Sequence, residues 1–291
     1  MPDSELSFDS IELGKLYGPY YYPLADRFAR FLEAVENEDE DEWHTRRSPA
    51  GPPVASSTIL GVIGMRFIDD VAPVPPGTLH VRQEIEIKNS IRSDRWPILY
   101  GEFTDKSEKR SRKRFTFEAK CRDNTGLIMG VTRVTMAFPP DGEAETSDRD
   151  RKAPERKNEL TAISRTLTQE KMTAYSEDSA NAKRGKSIHV QPDIAKAAGF
   201  ETTVAQGLMA ADYIGEMMER QLGRAWYEFA GLSVAFLAPP LCGQTLTTGG
   251  RLAEEHEEGA VVRQVYEVWC DNDAGETVAA GTATALAIPK A

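Results

Sequence analysis

Two stretches of the chain are built alike: FTFEAKCRDNTGLIMGVTRVTMAF, residues 115–138, and VVRQVYEVWCDNDAGETVAAGTATALAI, residues 261–288. Each is an alternating run, a turn containing Asp and Asn that closes on Gly126 or Gly275, and a second alternating run passing through Gly130 or Gly281. Apolar residues at every second position bury one face of a strand, and the Asn/Asp/Gly turn folds the strands into a hairpin. A hairpin occurring twice in 291 residues constrains the chain to two copies of one unit.

Upstream of each hairpin the repeat continues. The segments GPPVASSTILGVIGMRF (51–67) and ETTVAQGLMAADYIGEMMERQLG (201–223) read as helices. In the second, Val204, Leu208, Ala211, Ile214, Met217 and Met218 recur at helical spacing, so the helix is expected to be deeply buried, with Gly223 as its stop. A shorter helical stretch precedes each one: LADRFARFLEAVENEDEDEW, and TQEKMTAYSEDSAN with Thr168 at its N-cap. Strands follow each long helix. The segment PPDGEAETSDRDRKAPERKNEL (139–160) has almost no large apolar residue and reads as a linker between a first unit (1–138) and a second (161–291). The expected class is α+β: two units, each an antiparallel sheet wrapped around a long helix, paired edge to edge so that exposed edge strands are hidden.

Composition narrows the function. A net charge of −11 disfavours nucleic acid, whose phosphates reward a basic surface. No apolar run is long enough to cross a bilayer and the acidic start MPDSELSFDSIELG is unlike a signal peptide, so the expectation is a cytoplasmic protein. Cys121, Cys242 and Cys270 are widely spaced with no CxxC pair, which points to neither disulfides nor zinc; Cys121 and Cys270 read as core thiols. The carboxylates of EAVENEDEDEW (33–43) are consecutive and point around a helix in all directions, so no metal is expected. His80 alternates with Val81 and Ile85 on a strand and reads as structural, at a sheet face or a contact between the units. His44 and His256 lie among Glu residues and read as exposed.

The chemistry is concentrated in YSEDSANAKRGKSIHVQPDIAKAAGF (175–200) and the AQGL that follows. Tyr175, Ser179, Ala180 and Asn181, then Ser187, Ile188 and His189, then Pro192, Ala195, Ala198, Gly199 and Phe200, and finally Ala205, Gln206, Gly207 and Leu208 are similar to the signature of one family. This pattern resembles the MaoC-like (R)-specific enoyl-CoA hydratases and dehydratases, and over most of its length the chain resembles their two-domain, double hot-dog members, with the first half as the degenerate, substrate-accommodating copy. The resemblance implies syn addition of water to a 2-enoyl thioester, or its loss from a 3-hydroxyacyl thioester. CoA is the expected carrier and substrate, with no separate cofactor. It also implies His189 as general acid and base, the Gly207 N–H as oxyanion donor, and Gln206 and Ser187 beside the substrate. A buried helix start suits that role independently, since it presents free N–H groups and a positive dipole end to an enolate oxygen.

The sequence departs from the signature in two places. Asn181 stands where the family carries Asp, and the loop to His189 is three residues longer than the family spacing. Three readings follow: Asn181 orients the water while His189 works alone, Asp178 takes the catalytic position, or Asn181 is a substitution made to trap substrate. A double hot-dog protein that binds a thioester or hydrophobic ligand without hydrating it, or one that performs related enolate isomerisation or elimination, is the alternative function. The longer loop carries Lys183, Arg184 and Lys186, candidates for CoA phosphates or a substrate carboxylate. A homodimer is expected from the need to cover sheet edges.

Overall fold

The computed structural model describes residues 5–35, 44, 48–109, 112–139, 153–176, 179–183 and 185–287. The first half contains strand β1 (Tyr17–Tyr21), helix α1 (Leu24–Val35), β2 (Val54–Ala55), the central helix α2 (Ile59–Val71), β3 (Leu79–Ile87), β4 (Ile91–Arg92), β5 (Ile98–Lys109), β6 (Arg112–Arg122) and β7 (Ile128–Ala137). The second half contains β8 (Ser164–Thr166), helices α3 (Gln169–Ser176), α4 (Ala180–Lys183) and α5 (Pro192–Ala197), and the central helix α6 (Gly207–Leu222). Helix α7 (Arg224–Tyr227) and strands β9 (Gly231–Phe236), β10 (Thr245–Glu258), β11 (Val261–Asn272) and β12 (Thr277–Ala287) complete it.

Ten strands form one sheet in the order β1-β5-β6-β7-β3-β9-β12-β11-β10-β8. Read from its two ends the order is the same in both halves, and they join through antiparallel β3 and β9, with Arg82 opposite Ala235 and Glu86 opposite Gly231. The repeated hairpins are β6–β7 and β11–β12. Their turn glycines sit at φ +92° (Gly126) and +78° (Gly275), a region that favours glycine. Gly130 and Gly281 have a different reason. A Cβ at Gly130 would lie 2.2 Å from the Glu86 carbonyl oxygen on β3, and one at Gly281 would lie 1.9 Å from that of Ser233 on β9. In each half a neighbouring strand approaches too closely for any side chain.

The concave face of the sheet covers α2 and α6. Helix α2 buries Ile59, Leu60, Ile63, Phe67 and Ile68, and α6 buries Leu208, Tyr213, Ile214, Met217 and Met218. Phe67, Phe103, Phe115 and Phe117 are fully buried, with Phe103 meeting Phe117 edge-on at 5.1 Å. Burying each such ring contributes about 1.5–3 kcal/mol.

Several expectations change. Strands β1 and β8, at the outer edges of the sheet, carry no clear alternation in the sequence. The stretch 51–67 is not one helix, because Val54–Ala55 pairs with β4 and the helix begins at Ile59. The second central helix begins at Gly207, the position expected to open it; Val204, counted with its apolar positions, instead forms a bridge with Leu241, and Gly223 at φ +53° ends the helix as expected. Of the stretch read as a linker, Ala153–Leu160 is laid along the second half's sheet, with Ala153 N–H donating to Gly275 O and Glu159 N–H to Gly250 O. Arg156 pins it there through Asp271 at 3.0 Å and a cation–π contact 4.7 Å from the Trp269 ring. Residues 140–152 of that stretch lie outside the described residues. Thr168 caps α3 through Lys171 N–H at 3.3 Å. Cys121 and Cys270 are buried free thiols, Cys121 pushed up to about 12 by burial. His80 packs on Phe236 across the junction of the halves, ring centroids 4.8 Å apart.

Candidate active site

The loop carrying His189 is closed onto the start of α6. Val204 N–H donates to Ile188 O, Ala205 N–H donates to Pro240 O, and the chain then enters the helix at Gly207. His189 is held at three points: its Nδ1 lies 2.6 Å from Val204 O, its N–H donates to Ser187 Oγ, and its carbonyl accepts from Gln169 Nε2. Only a protonated Nδ1 satisfies a carbonyl oxygen, so the neutral ring keeps its lone pair on Nε2. Burial is the main influence lowering the His189 pKa; the Val204 bond opposes it and the nearby Arg66 guanidinium adds to it. The ring is therefore a neutral base near pH 7.

Gly207 is the first residue of α6, where N–H groups lack intrahelical partners. A Cβ there would stand 2.8 Å from the Phe236 ring, so glycine leaves the helix start open beneath that ring. Gln206 donates to Ser176 Oγ at 3.0 Å, tying the helix start to α3. Ser187, expected beside the substrate, has its hydroxyl engaged by the His189 N–H, so it positions the histidine. Ser179 caps α4 by accepting the Ala182 N–H, and Asn181 lies within that helix. The Asn181 side chain, Asp178 and Arg184 lie outside the described residues. Lys183 and Lys186 are exposed. Lys183 lines a cleft of about 200 Å³ between α4 and the first half, together with Tyr20, Tyr22, Arg27 and Arg66.

Three features escape a reading of the sequence alone. Arg66 lies in the otherwise apolar face of α2 and donates to the Tyr175 carbonyl at 3.2 Å. Asp212, fully inside α6, accepts the Tyr175 hydroxyl at 2.5 Å; burial is the main cause raising its pKa to about 7. Both are single charges within apolar helical runs, and that contrast is visible in GVIGMRF and MAADYIG. The third is His44, expected to be exposed. It is buried, with Nδ1 2.6 Å from Val54 O and Nε2 3.5 Å from Glu219 Oε2.

His44 is the first half's counterpart of His189. Both rings bond the carbonyl of a valine just before a central helix, and the bond from Ile59 N–H to Ser56 O matches that from Met209 N–H to Gln206 O. Ser57 therefore corresponds to Gly207, and its N–H is taken by Glu219 Oε1 at 3.3 Å. A polar seam leads back from there: Ser56 Oγ donates to Glu219 at 2.6 Å and meets Thr58 Oγ1 at 3.0 Å, and Thr58 contacts Asp212, which accepts from Tyr175. Burial brings the Asp212 pKa to about 7, so its carboxyl holds a proton below that pH.

The symmetric sheet and two wrapped helices define a double hot-dog fold, and residues 151–273, in its second half, match the family model described as MaoC like domain. Among solved structures, the chain resembles full-length peroxisomal multifunctional enzyme type 2 from Drosophila melanogaster (TM-score 0.69, 16% identity), covering 94% of this chain and 48% of that one. It also resembles a MaoC-like dehydratase from Phytophthora capsici (TM-score 0.67, 15% identity, 98% of this chain and 100% of that). A Mycobacterium tuberculosis protein described as a double hotdog fold is similar as well (TM-score 0.64, 11% identity, 98% of each chain). No curated protein matches the chain by sequence. Among the described residues no helix is long and apolar enough to cross a membrane, and no group of three or more His, Cys, Asp or Glu is arranged to hold a metal.

Proposed function

We propose that the second half is a hydratase or dehydratase of acyl thioesters, adding water to a 2-enoyl-CoA or removing it from a 3-hydroxyacyl-CoA. The observation that carries this reading is the His189 Nδ1 bond to Val204 O, which aims a neutral, basic Nε2 from a loop fastened to the start of α6. In hydration, Nε2 takes a proton from water as the oxygen bonds to C3. The C2=C3 electron pair moves towards the thioester, and the negative charge on its oxygen is met by the Gly207 N–H and the positive end of α6. The imidazolium then returns its proton to C2, which completes the addition. Asn181 orients the water, with Arg184 and Lys186 meeting CoA phosphates outside the site.

The test is hydration of crotonyl-CoA followed by loss of enoyl absorbance. His189→Ala is expected to lower kcat by roughly 10²–10⁴-fold. Asn181→Asp is expected to raise it, and Asp178→Asn to leave it unchanged if Asn181 is the water's partner. Thioester binding without turnover, in the unaltered protein and in Asn181→Asp alike, would overturn catalysis in favour of a thioester-binding protein.

A further inference from the structure

We propose that Arg66 receives a carboxylate on the acyl portion of the substrate, so that the preferred substrate is a dicarboxylic enoyl thioester. This rests on the thioester reading above. Arg66 is the one cation among the buried residues of a helix otherwise filled with Ile, Leu, Val and Phe. Burying a charge among such side chains costs several kcal/mol unless good partners compensate. Its own partners are modest: a neutral backbone carbonyl, Tyr175 O at 3.2 Å, and Asp69 at 3.7 Å. Its Nε is buried and makes no hydrogen bond among the described residues. A guanidinium offers five donors in a flat fork suited to a carboxylate, and much of this fork remains available.

The surroundings fit such a ligand. Arg66 lines the cleft below β1 and α1, where Arg27 and Lys183 add positive charge against the carboxylates of Asp69 and Asp70. Asp70 is engaged by the Tyr20 hydroxyl, which leaves Asp69 as the group an incoming carboxylate would displace. Position selects the source of the anion. Its guanidinium bonds the Tyr175 carbonyl, in the same motif as His189, and its charge is felt at the His189 ring. The phosphates of CoA are separated from the thioester by the whole pantetheine arm, whereas the far end of a short acyl chain lies within a few bonds of C3.

The experiment compares crotonyl-CoA with glutaconyl-CoA, which adds a terminal carboxylate to the same enoyl thioester, and with its methyl ester, using the full chain and the variants Arg66→Met and Arg66→Lys. The unaltered protein is expected to favour glutaconyl-CoA over both neutral substrates. Arg66→Met should lose roughly 10–10²-fold in kcat/KM for glutaconyl-CoA, the worth of a charge-assisted hydrogen bond, a loss larger than any change seen with crotonyl-CoA. Arg66→Lys should restore part of the loss. Equal losses on all substrates would mean that Arg66 only supports the fold and would overturn the proposal. So would a loss seen with CoA thioesters but absent from the matching N-acetylcysteamine thioesters, because the anion would then be a CoA phosphate. If no thioester is turned over, the hydratase reading has failed separately. Calorimetric titration with glutarate and butyrate then decides the anion site: glutarate binding that vanishes in Arg66→Met supports it, and no glutarate binding refutes it.

Discussion

Replacing Asp212 by asparagine tests the buried seam through its dependence on pH. The Asp212 carboxyl carries a pKa near 7 in the folded chain against 3.8 ordinarily, a rise of about three units. The folded state therefore holds a proton that the unfolded state has already released. The stabilisation from that proton is complete below about pH 4 and is lost as pH rises towards 7, at about 1.4 kcal/mol per pH unit and roughly 4 kcal/mol in all; above 7 both states are ionised and the loss stops. The amide introduced by Asp212→Asn would still accept the Tyr175 hydroxyl, without titrating. Urea unfolding of both proteins at pH 5, 6, 7 and 8 gives the difference in stability, in which common contributions cancel, including that of Glu216, itself raised to about 7 chiefly by burial. The unaltered protein should fall relative to the Asp212→Asn variant by close to one proton's worth per unit between pH 5 and about 6.5, then level off. A pH-independent difference, or one that moves the other way, would refute the assignment of the proton to Asp212.

Further perturbations address other parts of the structure. Gly281→Ala places a methyl 1.9 Å from a backbone oxygen and should cost at least the roughly 1–3 kcal/mol typical of overpacking, read as a lower urea midpoint. Arg156→Ala removes the ion pair to Asp271 and the contact with Trp269, which should cost about 1–2 kcal/mol and speed limited proteolysis around residues 153–160. Glu219→Gln keeps the shape beside His44 but removes a charge; it should destabilise by about 1–3 kcal/mol while, under the proposed function, leaving turnover of crotonyl-CoA unchanged, because the proposed chemistry is at His189 and Gly207 and not at His44. Lost turnover in a stably folded Glu219→Gln protein would contradict that division of labour.

What can be read directly is whatever repeats locally. The hairpins announce themselves because one face of each strand is buried, and Gly130 and Gly281 stand out because each interrupts an alternation at the same place. His189 is legible only through its flanking motif, since a lone histidine has no pattern of its own. Strand β1 escapes because its partner, β5, lies some eighty residues further on and its own residues, Tyr17–Tyr21, alternate poorly. His44 misleads for a related reason. An acidic run precedes it and two arginines follow, but its burial is decided by Val54 O, by Tyr227 and by Glu219 in the other half, none of which local polarity reports.

The Glu219 carboxylate also gives the proposed site of the second half a ready-made mould. In the first half an anionic oxygen already sits 3.3 Å from a helix-start N–H, with its twin 3.5 Å from a histidine Nε2 whose ring is anchored as His189 is. If the proposed hydratase reading holds, the corresponding space between Gly207 and His189 takes the enolate oxygen and the attacking water, and a small acyl carboxylate, in place of the thioester, is the first inhibitor scaffold to try.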